Sequence, residues 1–219
     1  MKITLSLEKI FNFLFPPRCA GCGDFSSYLC QKCHAALKRA ETPAHEEIEA
    51  LFEYRAKAIQ GLIWKLKYKN TRPVGRILGE LLYEHMLLKI SELALFSGTK
   101  RFLLVPIPLS LQKLRLRGFN QMELVGQEIE KLDHAEVLKY SPGILIKTRH
   151  TKPQMEIRKK EERLANVVDS FAVTKSEKIE GESIILIDDV TTTGATLLEA
   201  RKVLLEAGAR SVFPIAIAH

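Results

Sequence analysis

The stretch Ile184-Ile185-Leu186-Ile187-Asp188-Asp189-Val190-Thr191-Thr192-Thr193-Gly194-Ala195-Thr196 decides how the chain is read. Residues 184–187 are apolar without alternation, which predicts a parallel strand buried on both faces. Two carboxylates end that strand, and a threonine-glycine loop then opens a helix over residues 196–206 that Gly208 closes. Side-chain acceptors and the unpaired first N–H groups of a helix therefore meet at one edge of a sheet, an arrangement suited to a phosphorylated sugar. Asp188 and Asp189 match the two ribose hydroxyls as acceptors. The backbone N–H groups of Thr191, Thr192, Thr193, Gly194, Ala195 and Thr196, with the threonine hydroxyls, match a dianionic phosphate at the positive helix end. Gly194 lets the backbone approach closely. The segment has neither the Gly-Lys-Ser/Thr of a triphosphate loop nor the glycine triplet of a dinucleotide fold.

Outward from this segment, strands and helices alternate. Residues 50–54 read as a strand, 56–68 and 74–90 as helices, 102–107 as a strand, 118–131 as a helix, 144–147 as a short strand and 212–218 as a last buried strand. The order predicts a parallel sheet flanked by helices. Trp64, Leu66 and Tyr68 have helical spacing, and core packing is the expectation for Trp64. Residues 151–166 are too polar for a core and read as a mobile loop. Residues 1–15 form an apolar-faced short helix ended by Pro16 and Pro17, with docking onto the larger domain as its expected role. The polar stretch 41–49, carrying Pro43, reads as a linker. The expected organisation is an N-terminal module over 1–49 and an α/β domain over 50–219.

A chain of 219 residues, 46% of them hydrophobic, supports one substantial core and one small appended module. Its 33 basic against 26 acidic residues give a formal charge of +7, which favours anionic partners: phosphates, diphosphates or nucleic acid. Glu8 and Lys9 interrupt any signal-peptide core, and no apolar run reaches the roughly 20 residues needed to cross a bilayer, so a cytoplasmic protein without a transmembrane segment is expected.

Cys19 and Cys22 are two residues apart, as are Cys30 and Cys33, and no cysteine is left over. Two such pairs this close place four thiolates around Zn²⁺ as a structural site with no open position. Disulfides would not persist in a reducing cytoplasm. His34 is superfluous as a ligand, and His45, His85 and His134 are expected at the surface or in packing.

The thirteen-residue string resembles the phosphoribosyl-pyrophosphate motif of type I phosphoribosyltransferases, and its Asp-Asp-Val-Thr-Thr-Thr-Gly-Ala-Thr form resembles the ComF family (ComFC/GntX-like). Val105-Pro106-Ile107-Pro108, then Arg115 and Arg117-Gly118-Phe119-Asn120-Gln121, are similar to the family's signature, as are Lys65, Lys67 and Tyr68. The resemblance implies a type I phosphoribosyltransferase fold. It further implies that Pro106 and Ile107 belong to a pyrophosphate loop running to Ser110, with Arg115 and Arg117 near the diphosphate. The alternative for Lys113, Arg115 and Arg117 is a solvated basic face. Arg149 to Gln154, with Arg163 and Asn166, resembles the loop that closes over bound diphosphate.

Two functions follow from the resemblance. One is binding of phosphoribosyl pyrophosphate with Mg²⁺ and transfer of the phosphoribosyl group to an unidentified acceptor. The other is a non-catalytic module of natural competence that handles single-stranded DNA beside a helicase-like partner. With 7% aromatic residues, few of them within the basic clusters, no base-stacking platform is expected from the sequence.

Overall fold

The computed structural model describes residues 16–40, 45–69, 71–148 and 167–219. The expected helix over 1–15, residues 41–44 of the linker and the loop over 151–166 lie outside the described residues.

Five strands form one parallel sheet in the order β1-β7-β6-β2-β3. They are β1 (Glu49–Phe52), β2 (Phe102–Pro106), β3 (Leu138–Tyr140), β6 (Ser183–Val190) and β7 (Ser211–Ala218). Alternate side chains of each strand enter different cores, because successive residues point to opposite faces. Leu104, Ile185, Ile187, Ile215 and Ile217 face α2 (Lys57–Lys69), α3 (Arg72–Ser97) and α5 (Gln121–Leu132). Leu103, Val105, Ile184, Leu186 and Ala216 face α6 (Ala195–Glu206) and the antiparallel hairpin of β4 (Leu145–Lys147) and β5 (Phe171–Val173). Burial on both faces explains the unbroken apolar run at 184–187.

Four boundaries differ from the sequence expectation. β6 continues through Asp188 and Asp189 to Val190, because Asp188 and Val190 remain in the ladder opposite Ala216 and Ala218 of β7. Helix α3 runs seven residues past Ile90, to Ser97, where Gly98 at φ 67° ends it. A short helix α4 (Leu111–Arg117) precedes Gly118, which caps it at φ 78°, so the helix expected over 118–131 is α5 alone, opened by Asn120. Module helix α1 covers Gln31–Ala35, about half of the 31–40 segment that reads as a short helix in the sequence. Strands β3 and β5 were not anticipated.

β7 outruns β1, whose pairing begins at Glu49 opposite Ile215, and this leaves residues 211–214 as a free edge. Pro214 offers no N–H there, and the Arg201 Nε–H donates to the Val212 carbonyl at 3.3 Å, so the edge is blunted against further pairing.

Helix α5 rests on β3 through Gly126, where an added Cβ would fall 2.5 Å from Tyr140 Cε2. At Gly75 in α3 the nearest atom would be 3.5 Å away, an ordinary contact. We therefore expect opposite signs in thermal unfolding. Gly126→Ala should lose about 1–3 kcal/mol through overpacking, and Gly75→Ala should gain up to ~1 kcal/mol from helix propensity.

Candidate functional site

The C-terminal ends of β6 and β2 bring the acidic pair beside the loop after β2. Consecutive strand residues project oppositely, and the two carboxylates have separate surroundings. Asp189 is buried. Its Oδ1 lies 2.8 Å from Lys67 Nζ of α2, and its Oδ2 accepts a hydrogen bond from Gln121 Nε2 of α5. Both of its oxygens thus have a partner within the protein, and Asp188 is the more exposed carboxylate of the pair expected to face ribose hydroxyls. Asp188 is half-buried, and the Asp189 backbone N–H donates to its Oδ1 at 2.8 Å. Burial, with the charge of Asp189 beside it, pushes the Asp188 carboxyl up to about 7, against the pull of that N–H, Lys67 and Lys147.

Cations surround this acid. Burial alone would lower Lys67, but the Asp189 and Asp188 charges raise it on balance. Lys113 of α4 is lowered by burial and by repulsion from Arg117 and Lys67. Lys147, at the end of β4, is brought down to about 8 by burial and by Lys113, with Asp188 opposing. Arg117 Nη1–H donates to Gln121 Oε1 at 3.0 Å, which links the Arg-Gly-Phe-Asn-Gln string to Asp189 through one side chain. An excess of positive charge at one half-buried carboxylate suits an anion that brings several charges of its own.

The loop after β2 is held from both sides. The Ile107 N–H donates to the Ile187 carbonyl at 2.9 Å, and the Ile107 carbonyl accepts from Asn120 Nδ2 at 3.0 Å. Pro106 and Ile107 are buried. Ile107 is thus bonded through both its backbone groups and anchors the loop, while Pro108 and Leu109 are half-exposed. Of the two signature arginines, Arg115 is exposed and Arg117 is half-buried.

In the threonine-glycine loop after β6 the Thr191 N–H is spent on the Ala218 carbonyl, 2.9 Å away, and Thr191 is buried. Thr192 is exposed, Thr193 and Thr196 are half-buried, and the Thr193 hydroxyl accepts from the Ala195 N–H at 3.4 Å. Gly194 sits at φ 79°, with its Cβ position 2.6 Å from Ile48 Cδ1, so conformation and space both demand glycine. The first turn of α6 opens here, with N–H groups that have no intrahelical acceptor.

Sequence reasoning missed the roles of Lys67, Gln121, Lys113 and Lys147. The Lys-Tyr pair and the Arg-Gly-Phe-Asn-Gln string contained two of them, but nothing local pairs positions 67 and 121 with 189. Trp64 corrects a stated expectation. It is 52% exposed, not in the core, because Ile59, Leu62, Ile63 and Leu66 occupy the inner face of α2.

The four cysteine sulfurs lie within 4.8 Å of one another. The Cys22–Cys30 separation is 3.7 Å, far beyond a disulfide's roughly 2.05 Å and close to the ~3.8 Å edge of a tetrahedron with ~2.3 Å Zn–S bonds. Burial would raise Cys19, but N–H groups of Cys30, Cys22 and Gly21 hold it down at about 6. The donor set and its spacing fit Zn²⁺. The module rests on α2 at Gly61, whose Cβ position would fall 2.9 Å from Ala20 Cβ.

Among the described residues no helix is long and apolar enough to cross a membrane. A phosphoribosyl transferase domain model matches residues 136–218, which include β6, the threonine-glycine loop, α6 and β7. Competence protein F of Haemophilus influenzae is 29% identical over 207 residues, covering 90% of this chain and 82% of that protein. Competence protein ComFC of Bacillus subtilis is 40% identical over 109 residues, which is 50% of this chain and 40% of that protein. Competence protein ComFC of Streptococcus pneumoniae is 30% identical over 185 residues, 84% of this chain and 71% of that protein. With its parallel sheet and four-cysteine module, the chain belongs to the ComFC family of competence proteins that carry a phosphoribosyltransferase domain.

Proposed function

We propose that the protein binds 5-phosphoribosyl-1-pyrophosphate with Mg²⁺ at the ends of β2 and β6 and transfers the phosphoribosyl group to an acceptor, in a competence-related role. The observation that carries this reading is Asp188, a carboxylate whose pKa is raised to about 7 among Lys67, Lys113, Lys147 and Arg117, beside the N-terminus of α6. The 5-phosphate takes the first turn of α6, from Thr192 to Thr196. Asp188 accepts from ribose hydroxyls and, with ligand oxygens, would hold Mg²⁺, which supplies charge neutralisation for the leaving diphosphate. Asp189 does not face the ligand; it fixes Lys67 and Gln121. Arg117 and Lys113 stand on the diphosphate side.

Transfer breaks the bond between the anomeric carbon and the diphosphate oxygen and forms one to the acceptor's nucleophilic atom, with inversion. The diphosphate departs with the bonding electron pair. Positive charge around the leaving group and fixed geometry do most of the work. The four cysteines, as a closed Zn²⁺ site, shape the module that supports α2.

Three measurements test this. In calorimetry the donor with Mg²⁺ should bind the wild type, and Asp188→Asn should weaken it at least tenfold; unchanged affinity would remove Asp188 from the site. Asp188 also predicts a pH dependence of stability. Its folded-state value of about 7 lies above the ordinary 3.8, so its contribution is complete below about 4 and is lost as pH rises through 7. Asp188→Asn should flatten that slope and raise the melting temperature at pH 8 by several degrees. The purified chain should carry one zinc per four thiols by mass spectrometry of metals, with Cys30→Ser losing the metal and the protease resistance of residues 16–40.

A further inference from the structure

Helix α3 is apolar on two sides over its second half. Inward, Met86 is buried, and Ile90 and Leu93 pack against the same core. Outward, Leu87 is 45% exposed, Leu88 76%, Leu95 87% and Phe96 79%. The rows Leu87-Ser91-Leu95 and Leu88-Glu92-Phe96 run side by side, each stepping four residues, so the six side chains form one stripe about 14 Å long. The first half of the helix presents charge instead, with Arg76 Nε 2.9 Å from Glu80 Oε1. The one charge within the stripe, Glu92, is held by Lys89 of the same helix, Nζ to Oε2 at 3.4 Å. Large apolar side chains gathered in this way, and not scattered singly, mark an interaction surface.

We propose that the stripe binds a second copy of this chain, the two α3 helices packing antiparallel about a twofold axis that passes between Ser91 and Glu92. An isologous contact needs a surface that is its own complement, in which residue i meets j and j meets i. Counted outward from that axis, Leu88 comes level with Leu95 of the other copy, and Leu87 with Phe96. Leu88 and Leu95, seven residues apart, share the midline of the stripe, so these leucines meet twice across the seam. Leu87 and Phe96 lie on opposite flanks, and together they close both sides at each end of the contact. Ser91 is small and lets the helix axes approach, while Lys89 neutralises the glutamate that would otherwise face its own copy across the axis. Glu84, exposed one turn before Leu88, comes level with the end of the other copy's α3, where exposed Lys100 carries the opposite charge. The four apolar side chains offer on the order of 500 Å² per copy, so the pair reaches the ~1,000 Å² expected of a specific interface. None of these residues belongs to the proposed donor site, and the pairing does not rest on it.

The test is analytical ultracentrifugation of the full, metal-loaded chain at tens of micromolar, alone and with the single substitutions Leu88→Lys and Leu95→Glu. The wild type should sediment as a dimer. Each single variant sets a charge against a leucine of the other copy at two places, and should weaken self-association at least tenfold. Mixed in equal amounts, the two variants should re-form a one-to-one dimer. In the mixed pair the new cation and the new anion face each other at one place, and native leucines meet at the other. Circular dichroism verifies that each variant folds. The proposal is overturned by a wild type that stays monomeric, whether its stripe is then bare or covered within one chain. It is equally overturned by a dimer that either single variant leaves intact, or by single variants that fail to recombine.

Discussion

The contact between Lys67 and Asp189 is the constraint around which the site is arranged. Asp189 is buried next to a second carboxylate, and a lone charge there would be costly. Lys67 supplies the opposite charge from α2, and Gln121 supplies a neutral donor from α5. One strand residue therefore holds two helices in register across the sheet's end. It also leaves Asp188 as the more exposed acid of the pair.

That arrangement makes the metal module more than an appendage. Ala20 touches Gly61 on α2, and the same helix carries Lys67 six residues later, within two turns. A displacement of the module tilts the helix whose end neutralises Asp189. The support of the acidic site thus begins at the cysteines, although the two are distant in sequence.

Much of the architecture was legible in local pattern. The apolar run at 184–187, the glycine after 206 and the paired cysteines each have one economical structural meaning. Other features were not legible, for definable reasons. β6 extends through its acids because it is paired with Ala216 and Ala218, and ladder pairing leaves no mark in the local side-chain pattern. α3 overruns Ile90 because Gly98, not a loss of periodicity, stops it. Spacing placed Trp64 on a helix, but period without phase could not say which face looked inward. The engagement of Asp189 was hidden for a simpler reason: its partners come from positions 67 and 121.

The pairing of β1 with β7 has a consequence for biogenesis. As synthesis proceeds, β1 emerges with only the short bridge from Arg39 to Phe52 beside it, and it waits while residues 53–210 are made, since among the described residues its ladder is with β7. Thr191 waits as well, because the carbonyl that fixes it belongs to Ala218. The turn after β6 therefore assumes its shape at the end of assembly, and a nascent chain stalled before β7 has a half-built sheet.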